Sequence, residues 1–196
     1  MQKHRHFIIH KPYGYLSQFV NNQNRRKNKK LLGELSEFPE GIMAIGRLDE
    51  DSEGLLFLTT DGKLSEQVRS NKVEKEYYVQ VDGAIDDDAI KRLTEGVEIS
   101  VNGKKYQTKP SKSQKIDNPN LPERSRKVRD ERHGPTSWVS ITITEGKFRQ
   151  VRKMTASVGF PTLRLLRHRI GDIIISEFKP GKVVETNNDF LEIIGG

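Results

Sequence analysis

The sequence predicts a mixed α+β fold, and three observations support this prediction. Runs of apolar, β-branched and aromatic residues of strand length recur along the chain. Two segments carry the end signals of helices: 86–96 runs from a potential capping aspartate to a glycine, and 148–158 is followed by Gly159 and Pro161. No internal repeat is evident, so these strands and helices are expected to share one non-repetitive fold.

Two core strands in the N-terminal half enclose a polar loop. The apolar runs 42–45 and 55–58 predict these strands, and residues 46–54 between them are polar. A shorter strand within 5–15 precedes them and ends at the Lys-Pro-Tyr-Gly turn, residues 11–14. The polar loop is therefore expected between two core strands, where its side chains can be held rigidly at a cleft.

Helix and strand then alternate. A helix is predicted for 61–69, a strand with alternating polarity for 76–81, and the capped helix for 86–96. The next segment, 97–109, predicts a hairpin that turns at Asn102-Gly103. In the last third a strand at 136–144 precedes the helix at 148–158, and three short strands follow it, at 163–170, 173–175 and 182–185.

Two basic segments predict long loops. Residues 21–30 carry five positive charges, no acid and no apolar residue, so they lack the apolar surface that ordering by burial requires. The second loop, about 110–134, lies in a stretch from 104 to 135 that holds ten Lys or Arg against four acids, with few aliphatic residues. We expect both to be mobile in the absence of a partner.

Composition is that of a globular protein with an anionic partner. The 196 residues suffice for one sizeable domain or two small lobes, and 31% of them are charged. The net charge of +7 suits nucleic acid. The absence of cysteine excludes disulfides, thiolate nucleophiles and cysteine-based zinc sites. The apolar patch 7–9 is too short for a signal sequence or a membrane span, so a soluble cytoplasmic protein is expected.

Asp49, in the polar loop, is the candidate for chemistry. The ordinary interpretation is an acidic, solvated loop or a cation site. Arg47 precedes it by two residues, however, and Arg149, Arg152 and Lys153 share one face of the last predicted helix. A carboxylate among arginines is expected to stay ionised. The segment 146–171 contains seven Lys or Arg and no acid, which favours phosphate binding, whereas the apolar positions of this helix are expected to pack in the core.

A cation and an aromatic ring alternate on the strand that follows. Lys75 and Tyr77 point to the same side and can face one ligand, although a tyrosine in a strand more often serves packing. The five histidines lack the spacing of metal ligands, and no glycine-rich phosphate loop occurs. No metal and no cofactor are therefore expected.

Four segments carry, in order, the motifs of a known family. They are the Lys-Pro-Tyr-Gly turn, the Gly-Arg-Leu-Asp loop with its Gly-Leu-Leu end, the Lys-Glu-Tyr strand and the basic helix, at 10–14, 46–56, 75–77 and 146–154. This order strongly resembles the RsuA-type ribosomal pseudouridine synthases over nearly the whole chain. The resemblance is specific because the motifs match together.

The flanking sequence resembles the short RluE branch of this family. The first motif starts ten residues into the chain, which leaves no room for the S4-type RNA-binding domain of several members. The segments 134–138 and 158–165 also resemble that branch. The branch acts on a single uridine of 23S ribosomal RNA near the peptidyl transferase centre.

The resemblance implies a fold and a set of roles. The fold is the pseudouridine synthase fold, an α+β domain with a mixed, mostly antiparallel sheet, helices and two lobes around a cleft. Asp49 is then the catalytic aspartate, Arg152 its ion-pair partner and Tyr77 the ring that stacks on the target base. Arg47 helps to displace that base, and Lys75 assists the strand of Tyr77.

The implied reaction needs no cofactor because the isomerisation loses nothing from the substrate. The glycosidic bond to N1 breaks, the uracil rotates while bound, and C5 joins C1′. Asp49 can act on C1′ or as a base, and the sequence leaves both roles open. Two alternatives also stay open: a non-catalytic ribosomal-RNA-binding or assembly protein, and a synthase for another structured RNA. A monomer is the default expectation.

Overall fold

The computed structural model describes residues 4–20, 28–69, 73–129, 131–175 and 178–186. Its strands are β1 (His6–Lys11), β2 (Tyr15–Leu16), β3 (Lys30–Leu31), β4 (Met43–Ile45), β5 (Glu53–Thr59), β6 (Lys75–Asp82), β7 (Glu98–Val101), β8 (Lys104–Gln107), β9 (Lys112–Ile116), β10 (Thr136–Ile143), β11 (Thr162–Ile170), β12 (Ile173–Ile174) and β13 (Val183–Thr186). Its helices are α1 (Gly62–Arg69), α2 (Asp87–Glu95) and α3 (Gln150–Ser157), with short 3₁₀ helices at Leu32–Glu34 and Glu131–His133. The predicted α+β class is confirmed.

One mixed sheet dominates the described part of the chain. Its strands follow the order β13-β1-β5-β11-β6-β10-β9, with β4 paired to β5 and β12 paired to β11. Among these strands the pair β5–β11 is parallel and the others are antiparallel. The parallel pair is short, and it joins the β13-β1-β5 side of the sheet to the β11-β6-β10-β9 side.

Gly54 allows the two halves to meet. It has a φ of +112°, and a Cβ at this position would lie 2.4 Å from the carbonyl oxygen of Arg167 and 2.6 Å from its amide nitrogen. No side chain fits so close to a neighbouring backbone. The glycine that follows the polar loop therefore has a packing role at the junction of β5 and β11.

The sheet is buried on both faces where β5 crosses it. Leu56 and Leu58 belong to the larger core cluster, which includes residues of α2 and α3, whereas Leu55 and Phe57 belong to a second cluster with residues of α1. Side chains alternate between the faces of a strand, so these clusters lie on opposite sides. Each fully buried side chain of this kind contributes about 1.5–3 kcal/mol to folding. This strand fixes the position of the loop that precedes it.

The helix predicted for 86–96 and the hairpin predicted for 97–109 are confirmed. The Asp86 carboxylate accepts a hydrogen bond of 2.8 Å from the Ala89 amide, and the chain leaves α2 at Gly96 with φ 98°. The β7–β8 hairpin turns at Asn102 and Gly103, both with positive φ. No helix in the described ranges combines the length and the apolarity that crossing a bilayer requires.

The prediction of a loop at about 110–134 is wrong for part of that segment. Residues 112–116 form β9, which pairs with β10 at the edge of the sheet. The strand is polar, so its order comes from backbone pairing rather than from the apolar pattern that predicts strands. Of the other predicted loop, 21–30, residues 21–27 lie outside the described residues, and Lys30 belongs to β3.

Candidate active site

A cleft of about 210 Å³ opens beside the loop between β4 and β5. The loop forms one wall, β6 and β11 contribute apolar side chains, and the turn before α3 forms the opposite wall. Five of the seven predicted site residues line this cleft: Arg47, Asp49, Tyr77, Arg149 and Arg152. The other two, Lys75 and Lys153, are not part of its lining.

Backbone contacts hold the loop on both sides of Asp49. The Ser17 hydroxyl donates to the Leu48 carbonyl at 2.7 Å and accepts from the Leu48 amide at 2.9 Å. The Gly14 amide donates to the Glu50 carbonyl at 2.8 Å. Because Leu48 is also buried in the core, the backbone next to Asp49 has little freedom.

A tight turn positions the two arginines of α3. Arg149 starts the helix in the left-handed conformation with φ 52°, which turns the chain sharply after Lys147. The Gln150 side chain accepts from the Lys147 amide at 2.8 Å and donates to Glu145 at 2.6 Å. With these hydrogen bonds holding the turn, Arg149 and Arg152 reach across to the loop that contains Asp49.

The arginines bind two carboxylates and the loop backbone. Arg149 donates to both oxygens of Asp51, at 3.0 and 2.9 Å, and approaches the Asp49 carboxylate to 3.4 Å. Arg152 donates to the Asp51 carbonyl at 2.7 Å and to the Ser52 hydroxyl at 3.1 Å, and its Nε lies 3.9 Å from Asp49. Both guanidinium groups thus lie beside the Asp49 carboxylate, and Arg149 is the closer of the two.

The two carboxylates have opposite pKa shifts. Burial raises the pKa of Asp49, and the charge of Asp51 adds to this shift, while Arg149 and Arg152 oppose it. Burial also acts to raise the pKa of Asp51. The hydrogen bonds from Arg149 and the charges of both arginines outweigh burial, so the pKa of Asp51 lies below its usual value. The arginines thus favour the ionised form of Asp49, but burial outweighs them and leaves its pKa above the ordinary value.

Tyr77 and Lys75 have different surroundings although they share a strand face. Tyr77 is 8% exposed and belongs to the core, with its ring at the cleft wall. The Lys75 ammonium donates to the Val73 carbonyl at 3.0 Å, and burial lowers its pKa to about 8. Lys153 similarly donates to the Ser100 carbonyl at 2.7 Å. Tyr77 therefore faces the cleft, whereas both lysines are held by carbonyls beside it.

Three further residues belong to the site and were not singled out from the sequence. Phe148 lines the cleft and is 67% exposed, so its ring is accessible to a ligand there. Asp51 binds both arginines, as described above. Lys11 does not line the cleft, but its charge acts to lower the pKa of Asp49. It is fully buried, donates to the carbonyls of Pro12 and Tyr15, and has a pKa lowered by burial to about 7. All three lie within the motifs at 10–14, 46–56 and 146–154, which mark the segments. Their individual roles depend on tertiary contacts that the motifs do not specify.

Within the described ranges, no group of three or more histidine, aspartate or glutamate side chains is arranged to hold a metal ion. The chemistry that the cleft offers is a half-buried carboxylate between two guanidinium groups, next to two aromatic rings. Such a carboxylate can stabilise a cation or accept a proton, and the rings can stack on a planar base.

The chain is similar to pseudouridine synthases in both sequence and structure. Residues 5–157 match the family described as RNA pseudouridylate synthase. The ribosomal large subunit pseudouridine synthase E of Vibrio parahaemolyticus is 43% identical over 184 residues, which cover 93% of this chain and 74% of that protein. The corresponding protein of Xanthomonas campestris is 41% identical over 180 residues, 89% of this chain and 91% of that one. A solved pseudouridylate synthase superimposes with a TM-score of 0.77 at 26% identity, over 99% of this chain and 75% of that chain.

Proposed function

The chain belongs to the RNA pseudouridylate synthase family, and from this premise we propose that it converts one specific uridine of 23S ribosomal RNA to pseudouridine. The relatives at 41–43% identity are named for the large ribosomal subunit, which supports this substrate. The observation that carries the proposal is Asp49, held rigidly at the cleft between Arg149 and Arg152.

Asp49 is the catalytic residue in this proposal. The reaction breaks the bond between C1′ and N1 and forms a bond between C1′ and C5, so it needs a group that stabilises C1′ or accepts a proton. A carboxylate serves either purpose, and the geometry is compatible with both. Arg149 and Arg152 orient the carboxylate, and they also hold the adjacent loop through Asp51 and Ser52.

The aromatic rings and Arg47 handle the base. A base stacked in RNA is inaccessible, so the target nucleotide must leave its stack and enter the cleft. Stacking on Tyr77 replaces part of the lost base stacking, worth about 1–3 kcal/mol. Arg47 is exposed at the rim, where it can fill the space that the base vacates. Phe148 offers a second ring on the opposite wall.

Three basic residues next to the cleft are proposed contacts to the RNA backbone. Arg149 lines the cleft, and Lys153 and Lys75 lie beside it with their ammonium groups bonded to backbone carbonyls. Each lysine would exchange its carbonyl for a phosphate oxygen, and Arg149 would contact a phosphate beside its bonds to Asp51. The substrate is expected to be free RNA or an assembly intermediate, and the enzyme is expected to be a monomer. A ribosomal RNA substrate would place the enzyme in the cytoplasm.

The reaction rate is expected to fall on acidification, with a midpoint above the usual pKa of an aspartate. Asp49 acts in its ionised form, and burial raises its pKa, so protonation inactivates it at a higher pH than in water. Single-turnover rates with excess enzyme, measured from acidic to neutral pH, give this midpoint. In Asp51→Asn the midpoint should move to lower pH, because a like charge is lost and Arg149 becomes available to Asp49. A wild-type midpoint at or below the usual aspartate value contradicts the assignment.

The proposed reaction is tested directly with unmodified 23S ribosomal RNA made by transcription. After incubation with the purified enzyme, carbodiimide-dependent stops of reverse transcriptase locate pseudouridine. A single new stop supports the proposal and identifies the uridine. Stops that appear only with 16S ribosomal or transfer RNA would show a synthase with another substrate, and tight RNA binding without any stop would favour a non-catalytic assembly protein.

A further inference from the structure

A second groove of about 270 Å³ adjoins the catalytic cleft. One side consists of residues 121–129, which we call the basic strap. Five cationic side chains line the groove: Arg124, Arg126, Lys127, Arg129 and Arg152. Arg152 lines both the groove and the cleft, so the two spaces border the same side chain.

The first half of the strap is anchored to the core. The Arg124 side chain is 9% exposed, lies 4.7 Å from the centroid of the Tyr13 ring, and approaches the buried Glu53 carboxylate to 3.9 Å. The Pro122 carbonyl accepts a hydrogen bond of 2.7 Å from Arg164. Leu121 packs against the smaller core cluster. These contacts fix the path of the strap over the end of β5.

The second half is anchored by an ion pair. Arg129 donates to the Asp82 carboxylate, with one bond of 2.8 Å, and to the Pro135 carbonyl at 3.3 Å. Between the two anchors, Arg126 and Lys127 are exposed, and no described acid pairs with either of them. The strap thus presents two cations on a support that the fold holds at both ends.

The groove has more donors than acceptors. Its acid, Asp51, is already bound by Arg149 through both carboxylate oxygens. A surface that serves only solubility intersperses both signs of charge. The groove therefore suits a ligand with several anionic oxygens, as in a chain of phosphates.

We propose that the basic strap binds the phosphodiester backbone of the RNA strand next to the target nucleotide. The inference rests on the proposed function, because RNA is then the ligand in the adjoining cleft. Arg152 marks the passage from base to backbone: the target base enters the cleft while its flanking strand follows the groove. Arg124 supports the strap from below, and Arg126 and Lys127 contact phosphates.

The double variant Arg126→Ala/Lys127→Ala tests this inference. We expect the KM for the unmodified 23S transcript to rise about tenfold, with kcat within about twofold of wild type, because phosphate contacts affect binding more than chemistry. Two lost contacts to a single strand should also reduce the slope of log affinity against log salt by about 1.4. Neither side chain belongs to the core, so the melting temperature should stay unchanged.

The control variant Lys63→Ala/Lys91→Ala removes the same charge from two exposed positions that line neither space. It should keep the wild-type KM and salt slope. If the control changed KM and the salt slope as much as the strap variant does, net charge alone would explain the effect and the inference would be overturned. The inference would also be overturned by a strap variant with the wild-type KM, or by one with a lower kcat and unchanged RNA binding. An inactive wild-type enzyme would instead contradict the proposed function, so the two failures are distinguishable.

Discussion

Replacing Asp49 by asparagine is expected to reduce pseudouridine formation about a thousandfold or more. The amide has the size of the carboxylate but can neither stabilise a cation at C1′ nor accept a proton, and such groups contribute about 10²–10⁴ to a rate. Single-turnover assays with the 23S transcript, read by carbodiimide-dependent stops, measure the loss. RNA affinity should stay close to wild type, because the phosphate contacts are untouched.

The same substitution should leave the fold intact. Because burial raises the pKa of Asp49, the fold favours its protonated form relative to the unfolded chain, and the ionised form lowers stability at neutral pH. A neutral amide relieves this cost, so the free energy of unfolding should not fall. The matched control is Asp61→Asn, at the half-buried turn before α1. Full activity in Asp49→Asn would disprove the catalytic assignment. If Asp49→Asn does not fold, the reaction rate of Asp49→Glu tests the same assignment.

Glu53→Ala is expected to lower the free energy of unfolding by about 3–5 kcal/mol, because it leaves a buried positive charge without its partner. Glu53 is 1% exposed and accepts two hydrogen bonds from Arg164, at 3.0 and 2.9 Å. Arg164 is itself 7% exposed, so water cannot replace the carboxylate. Urea unfolding at neutral pH, with the m-value compared between variants, measures the change.

Two controls separate the buried pair from charge in general. The double variant Glu53→Leu/Arg164→Met removes both charges of this pair and should regain part of the lost stability, since apolar replacements of buried ion pairs are often neutral. The recovery should be incomplete, because Arg124 also loses the Glu53 carboxylate. Glu98→Ala breaks a pair with the 83% exposed Lys105 and should cost less than about 1 kcal/mol. If Glu53→Ala and Glu98→Ala lowered the free energy of unfolding by similar amounts, burial would not determine the energetic cost of breaking an ion pair.

Local sequence signals were sufficient to predict most of the helices and strands. The cap at Asp86, the stop at Gly96 and the turn at Asn102 act through neighbouring residues, so they can be read without the tertiary fold. The parallel pairing of β5 with β11 has no such signal, because it joins segments more than a hundred positions apart. Gly54 was noticed as part of a motif, and its role in that pairing emerged only from the structure.

The candidate site was partly predictable for the same reason. Asp49 and the arginines of α3 were found through their motifs and charges, and the structure brings them together. Lys75 was placed by strand alternation alone, which gives the side of the sheet but not the distance to the cleft. The strap lies within the predicted basic loop 110–134, but its anchoring was not predicted, because Arg124 looks like any loop cation in the sequence and its burial against Glu53 depends on the whole fold.

The pairing of β1 with β13 has a consequence for how the protein is made. His6 and Thr186 are partners across 180 positions, and Arg149 reaches Asp51 across 98. Contacts of such long range make folding slow, because the loops between them must close first. While the chain is being translated, no early segment contains a complete cleft. Catalytic competence is therefore expected to arise late, after α3 and β11 have left the ribosomal exit tunnel.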